Sequence, residues 1–465
     1  MYYVSTREKG CTKVLASTAI ANGIAPDGGL YVPTEFPSIG DFAGKSYQEI
    51  LLKVLSLYLT DFSDKELAEY IENAYKDALP VCLNCDYLEL FHGKTQSFKD
   101  MALQLFPYLL SAALRKCENK RENCDTVTQT QKSCSDTHTQ PCDLTYDPKQ
   151  AVILTATSGD TGPAVLSGIA GVEGLHAIVI YPNGGTSEVQ HLQMATQIGA
   201  NVNVFAINGN FDDAQRAVKE IFADQDFRNQ FEDKYLFTSA NSINPGRILP
   251  QVAHFFYGYS ELVRQGRIAN GDKINYCVPT GNFGNLLSAY YAKKMGLPVH
   301  KLICATNENR VLDEFFKTGI LRDDFEFKLT NAPAMDILVP SNLERFMGQP
   351  LDDFESGFAT EEQVLQTIRS VYADSSYIID PHTAVAKHVY DEYKLRTGDE
   401  TLTIIVSTAS PYKFAETITC ALGKNVKNVM DNPPNDIAKL YEKPILHSKV
   451  INVEQLRDEI KEILL

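Results

Sequence analysis

The chain has 465 residues, enough for two or three domains, and its 44% hydrophobic and 22% charged side chains are those of an ordinary soluble globular protein. Against 43 Lys and Arg stand 59 Asp and Glu, a net charge of −16, which argues against a nucleic-acid partner because phosphate-backbone affinity needs clustered cations. No run reaches the roughly 18 apolar residues of a membrane span, and MYYVSTREKG has neither a secretory nor a transit pattern, so a soluble cytoplasmic protein without a membrane partner is expected.

In such a compartment the ten cysteines are expected as thiols, and Cys82-x-x-Cys85 lacks the second pair of a zinc ribbon. Residues 1–87 read as an N-terminal helical domain. GIAPDGGLYVP (23–33) is a turn cluster, and YQEILLKVLSLYL (47–59) carries helical apolar spacing. Residues 88–205 form the second unit, a lysine-bearing segment followed by a smaller α/β domain. It opens on FHGKTQSFKD (91–100), where Lys94 and Lys99 precede MALQLFPYLLSAALRK (101–116), a helix apolar on nearly every side and predicted to kink at Pro107. A lysine at the mouth of a buried helix is either a solvated turn residue or a reactive amine.

Residues 117–150, rich in Thr, Gln, Asp and Cys, break from this character and read as a flexible surface insertion. Cys117, Cys124, Cys134, Cys142 and His138 match no common zinc spacing, so no metal is expected. From 151 onward, AVILTAT, HAIVIYP, NVNVFAI, INYCVPT, KLICATN and TLTIIVS are short apolar runs separated by helical patterns. This is the rhythm of open, mostly parallel sheets covered on both faces, with ligands at the carboxyl ends of the strands. The third unit, 206–465, is read as a large α/β domain with a C-terminal extension.

Four loops of this α/β region carry chemistry. ATSGDTGPAV runs from a strand through Ser158, Gly159, Asp160 and Thr161 to Pro163, and its small residues leave backbone N–H groups free for an anion; an ordinary turn and cap is the competing reading. VPTGNFGNLL brackets Asn282 and Phe283 between Gly281 and Gly284, with Asn285 opening a helix, but it has no Walker lysine. In VSTASPYKFAE, Thr408 follows an apolar strand and is a hydroxyl donor or a satisfied cap. TSANSINPGR supplies Asn241, Ser242, Asn244 and Arg247, donors suited to a carboxylate or phosphate, or an Asx-rich turn. Two anion-binding loops, a further donor cluster and an amine together suit pyridoxal 5'-phosphate with a second anionic ligand.

ELFHGKTQSFKD, TSGDTG, NSINPGR, PTGNFGN, DPHTAVA and STASPYKF, in that order, resemble the signature set of the threonine synthases, fold-type II pyridoxal-phosphate enzymes. The opening YVSTRE…GIAPDGGLYVP is similar to that family's entry segment. The resemblance implies that Lys99 carries the cofactor as an internal aldimine and removes the substrate α-proton. It also implies that Gly281, Asn282, Phe283, Gly284 and Asn285 cradle the cofactor phosphate and that Thr408 bonds the pyridine nitrogen. Ser158, Gly159, Asp160 and Thr161 would face the substrate carboxylate and the ring oxygen, with Thr161 positioning water. Asn241, Ser242, Asn244 and Arg247 would hold the substrate phosphate.

The implied reaction turns O-phosphohomoserine and water into threonine and phosphate, by a monomer or a dimer. Lys94 stands where the family has proline; it is read as a solvated turn residue, with added charge near the substrate phosphate as the alternative. Ser410 replaces a family histidine, which keeps alive a phospholyase that releases 2-oxobutanoate, ammonia and phosphate. His382 is either packing or site lining, and a catalytically silent binding protein is the distant alternative.

Overall fold

The computed structural model describes residues 1–8, 12–77, 79–130, 149–423, 426 and 430–465. Among the described residues thirteen strands make three sheets. A two-stranded antiparallel sheet pairs β1 (Tyr3–Ser5) with β2 (Tyr31–Pro33). The strands of the second sheet are β3 (Cys82–Asn84), β4 (Tyr87–Glu89), β9 (Ile274–Pro279), β10 (Val299–Thr306), β11 (Phe354–Phe358) and β12 (Thr403–Ser407). Their order is β11-β10-β9-β12-β4-β3, parallel except for the β3–β4 hairpin. The third sheet holds β5 (Gln150–Ala156), β6 (Leu175–Pro182), β7 (Val202–Ile207), β8 (Tyr235–Thr238) and β13 (Val450–Ile451), in the order β13-β7-β6-β5-β8, all parallel. The fold is α/β with two open, mostly parallel sheets and a helical N-terminal region, as expected. The third sheet draws β8 and β13 from beyond residue 205, and β7 runs across that point.

Helix starts follow local chemistry. Ser46 with Glu49, Ser63 with Glu66, Ser187 with Gln190, and Thr360 with Gln363 form reciprocal capping boxes that satisfy otherwise orphaned N–H groups. The predicted kink at Pro107 is replaced by a clean break. A short helix, Asp100–Leu103, ends, and a new one, Phe106–Thr130, begins with Pro107 in its first turn, where a missing N–H costs nothing. That second helix carries the chain through 117–130, so this part of the expected flexible insertion is helical; residues 131–148, with Cys134, His138 and Cys142, lie outside the described residues. The Lys149 N–H donates to Glu118 (2.8 Å), so the chain returns beside the point where it left.

The central strands lack alternation because both faces are covered. Val152, Ile153, Leu154, Ile178 and Val179 of β5 and β6 are all fully buried. Among the described residues no helix is long and apolar enough to cross a membrane, and no group of three or more His, Cys, Asp or Glu is placed to hold a metal. Cys82, Cys85, Cys117, Cys277, Cys304 and Cys420 are free thiols.

Candidate active site

Parallel pairing brings the carboxyl ends of β4, β9 and β12 to one edge of the second sheet, and those of β5 and β8 to one edge of the third. The five loops that leave these ends converge on a single cavity, the placement expected of open α/β folds. Lys99, Ser158, Asp160, Thr161, Asn241, Ser242, Arg247, the whole 281–285 turn and Thr408 line it.

Lys99 is held by neighbours on two sides. Because β4 lies beside β12, the loop after each strand meets the other. Phe98 N–H donates to the Thr408 carbonyl (2.8 Å), Ser410 N–H donates to the Gln96 carbonyl (3.1 Å), and Ser97 and Ala409 form an isolated bridge. Beneath, the Asp100 carboxylate accepts from Thr95 N–H (2.8 Å), Thr95 Oγ1 (2.8 Å) and Gln104 Nε2 (3.3 Å), which closes the turn. The Lys99 side chain is 11% exposed, with Nζ 3.6 Å from Asp160 Oδ2 and 4.6 Å from the centre of the Phe98 ring. Burial pulls its pKa down most strongly; Asp160 raises it, Arg247 and Lys413 lower it, and the balance is about 8. A free-amine fraction of about a tenth at pH 7 follows, far above that of an ordinary lysine.

Asp160 sits at the start of the helix Thr161–Ile169. Thr157 Oγ1 shapes the loop by accepting from Gly159 N–H (3.0 Å) and Gly162 N–H (3.0 Å). Burial by itself would raise the Asp160 pKa, but Lys413 and Lys99 outweigh it and hold the carboxyl well below the ordinary carboxylate range. Lys413 was not picked out from the sequence. Its Nζ lies 2.6 Å from Asp160 Oδ1 and donates to the Thr95 carbonyl (2.8 Å), with the side chain fully buried. The signal was available in PYKF: a lysine between aromatic residues in a segment that opens a helix, the reasoning already applied to Lys99.

The 281–285 turn opens the helix Gly284–Lys294 with Phe283 in the left-handed region (φ 63°). The Phe283 ring anchors the turn, fully buried against Phe316 and Phe346 with ring centres 6.0 Å and 5.4 Å away. Asn282 braces the turn, since Nδ2 donates to Ser242 Oγ (2.9 Å) and Oδ1 accepts from Ser341 N–H (2.6 Å). Asn285 differs. Buried His254 holds Asn285 Oδ1 at 3.0 Å through Nε2, which leaves Asn285 Nδ2 buried without a partner among the described residues. Burial lowers the His254 pKa to about 3, so the ring is neutral and donates from Nε2. His254 was missed because in ILPQVAHFF it reads as one more residue of a buried helix.

Gly281 backs onto the Ala334 carbonyl, which a Cβ would approach to 2.5 Å. Gly281→Ala is therefore expected to cost about 1–3 kcal/mol, read as a lower urea midpoint with unchanged slope. His382 holds the facing loop: Nδ1 bonds Asp380 (2.7 Å) and Nε2 accepts from Ala334 N–H (3.2 Å), so it both lines the cavity and supports its wall.

Two residues expected at the site are not brought to the cavity surface. Asn244 is fully buried and fully engaged. Its Oδ1 caps the helix Pro245–Arg264 through Gly246 N–H (2.9 Å), and its Nδ2 donates to the Ile20 (2.9 Å) and Ser239 (3.2 Å) carbonyls, so no atom is left for a ligand. Gly159 does not line the cavity; its backbone (φ 153°) shapes the loop, with Gln190 where a side chain would go. Lys94 is also elsewhere. It is paired with Asp77 (3.5 Å) and lines a separate pocket with Lys439 and Lys443, so it adds no charge to the Lys99 cavity. Ser410 is buried beside the site without lining it.

The donor set fits pyridoxal phosphate. A low-pKa amine, an orphaned Asn285 amide, a glycine-bracketed turn at a helix N-terminus and an orphaned Arg247 Nε occupy one cavity. Comparison with known proteins agrees. A model of the threonine synthase N terminus matches residues 2–75, one of pyridoxal-phosphate dependent enzymes matches 79–408, and one of the threonine synthase C-terminal region matches 383–463. The chain is 33% identical to threonine synthase of Schizosaccharomyces pombe, over 90% of this chain and 89% of that protein. It is 36% identical to human threonine synthase-like 1, over 90% of this chain but 60% of that longer protein. Crystal structures of threonine synthase from yeast (TM-score 0.83, 30% identity, 100% of this chain and 98% of the other) and, with PLP bound, from Brucella melitensis (0.82, 29%, 100% and 99%) superimpose along the whole chain.

Proposed function

Because the chain belongs to the threonine synthase family of pyridoxal-phosphate-dependent lyases, we propose that the Lys99 cavity converts O-phosphohomoserine and water into threonine and phosphate. The observation that carries the assignment of residues is the meeting, in one cavity, of a low-pKa amine with two sets of anion donors.

When bound, the cofactor supplies an aldehyde that joins amines and a ring that accepts an electron pair. Lys99 would hold the aldehyde carbon, and the backbone of Gly281, Asn282, Phe283 and Gly284, with the Asn285 amide, would hold the cofactor phosphate. Thr408 would meet the ring nitrogen with a neutral hydroxyl. The remaining work is the chain's own. Arg247, Asn241 and Ser242 bind the substrate phosphate; Asn244 serves them as the helix cap beneath. Ser158 and Thr161 orient the carboxylate, and Asp160 keeps Lys99 in place. Lys99 Nζ would take the proton from the substrate α-carbon, a role its pKa of about 8 supports. Thr161 positions the water that adds at the β-carbon, and the phosphate donors stabilise the leaving group. A cytoplasmic setting and a monomer or dimer belong to the same proposal; the exposed free thiols Cys82, Cys85 and Cys420 suit a reducing compartment.

A second reading, a phospholyase, is favoured by Ser410, which stands where the family has histidine. Purified protein loaded with the cofactor and mixed with O-phosphohomoserine is expected to give threonine and phosphate in equal amounts. Release of 2-oxobutanoate and ammonia instead would establish the lyase, and failure to gain cofactor absorbance would favour a binding protein.

A further inference from the structure

Two buried lysines share one buried carboxylate. Lys413 Nζ is 2.6 Å from Asp160 Oδ1, which also accepts from Gln190 Nε2 (2.9 Å), whereas Lys99 Nζ stands 3.6 Å from the other oxygen, Oδ2. We propose that Lys413 is a positioning residue for Lys99: it occupies Asp160 as a standing counter-ion, so that the carboxylate holds the Lys99 amine in place without capturing it. The inference rests on the reading of Lys99 as the cofactor-bearing amine.

The groups around Lys99 show why the arrangement matters. Asp160 faces it from the loop after β5, Arg247 from the helix Pro245–Arg264, Lys413 from the turn after β12, and His382 from the helix Pro381–Thr397, already bonded to Asp380. On its own element, Asp100 is taken up by Thr95 and Gln104. Asp160 is therefore the carboxylate available to Lys99, and a bare aspartate there would favour the ammonium form that imine chemistry cannot use. Lys413 is fixed in its role by a second bond, to the Thr95 carbonyl (2.8 Å) in the turn that presents Lys99. Arg247 and Lys413 also oppose a proton on Lys99 directly.

The test uses the cofactor-free full chain without substrate, so its outcome is separate from that of the catalytic reading. Each lysine is followed by trace acetic anhydride labelling and peptide mass spectrometry from about pH 6 to about pH 10. Wild-type Lys99 is expected to reach half-maximal labelling near pH 8, with Lys413 unlabelled throughout. In Lys413→Met the Lys99 midpoint is expected to rise by about one pH unit, an approximately tenfold loss of reactivity at neutral pH. Adding Asp160→Asn to that variant should remove the rise, while Lys413→Arg, which keeps the charge, should show little of it. An unmoved Lys99 midpoint in folded Lys413→Met, or a rise that persists in the double variant, overturns the proposal. Should Lys413→Met not fold, labelling of wild-type Lys413 as readily as Lys99 overturns it equally.

Discussion

Replacing Lys99 with alanine is expected to lower turnover of O-phosphohomoserine by about 10³-fold or more, in the range general-base contributions cover, and to abolish the borohydride-stable attachment of the cofactor. Lys94→Ala should retain both. The two lysines are five positions apart and chemically identical, so the contrast isolates environment. Lys99 is nine-tenths covered, sits in the cavity with the anion donors, and has a pKa of about 8 set chiefly by burial. Lys94 is half-exposed, beside Asp77, in another pocket. A family pattern alone would pick Lys99 by alignment; the structure adds the reason, since the loops after β4 and β12 bond to one another and fix its backbone. Equal losses in the two variants would mean that the turn, not the amine, is what activity needs.

Arg247→Lys is expected to reduce kcat/KM by about 10²-fold, chiefly through KM, as one charge-assisted bond of about 1.5–3 kcal/mol is lost. The Arg247 side chain is buried and lowered to a pKa of about 10, with burial as the influence that acts on it. Nη1 donates to the Ala240 carbonyl and Nε has no partner among the described residues. A guanidinium kept in the interior with only a carbonyl to meet it is destabilising until an anion arrives. Inorganic phosphate should therefore raise the unfolding temperature of the wild type and have much less effect on Arg247→Met. A KM unchanged by Arg247→Lys would remove Arg247 from the substrate phosphate site.

The sheet class was legible because β5, β6, β7, β9, β10 and β12 are covered on both faces, so burial writes them as unbroken apolar runs. β4 and β13 were not, since strands of three and two residues leave no pattern, although β4 is the strand that delivers Lys99. Cap signals at Ser46 and Ser63, each three residues ahead of a Glu, went unread, and the break before Pro107 was misread because proline is disruptive within a helix and favoured in its first turn. Within the site, glycine-bracketed turns and hydroxyl-rich strand ends were visible because close backbone approach demands those residues. What the linear pattern hides is pairing across the fold. Asn244 looks like a donor until its cap and two carbonyl bonds are seen, and the partnership of Lys413 with Asp160 spans 253 positions.

Which amine meets the cofactor decides every other role in the cavity. Reducing the cofactor-loaded protein with borohydride and mapping the modified peptide should place the added mass on residue 99 alone. Mass found on Lys94, Lys413 or any other lysine, with 99 unmodified, would contradict it.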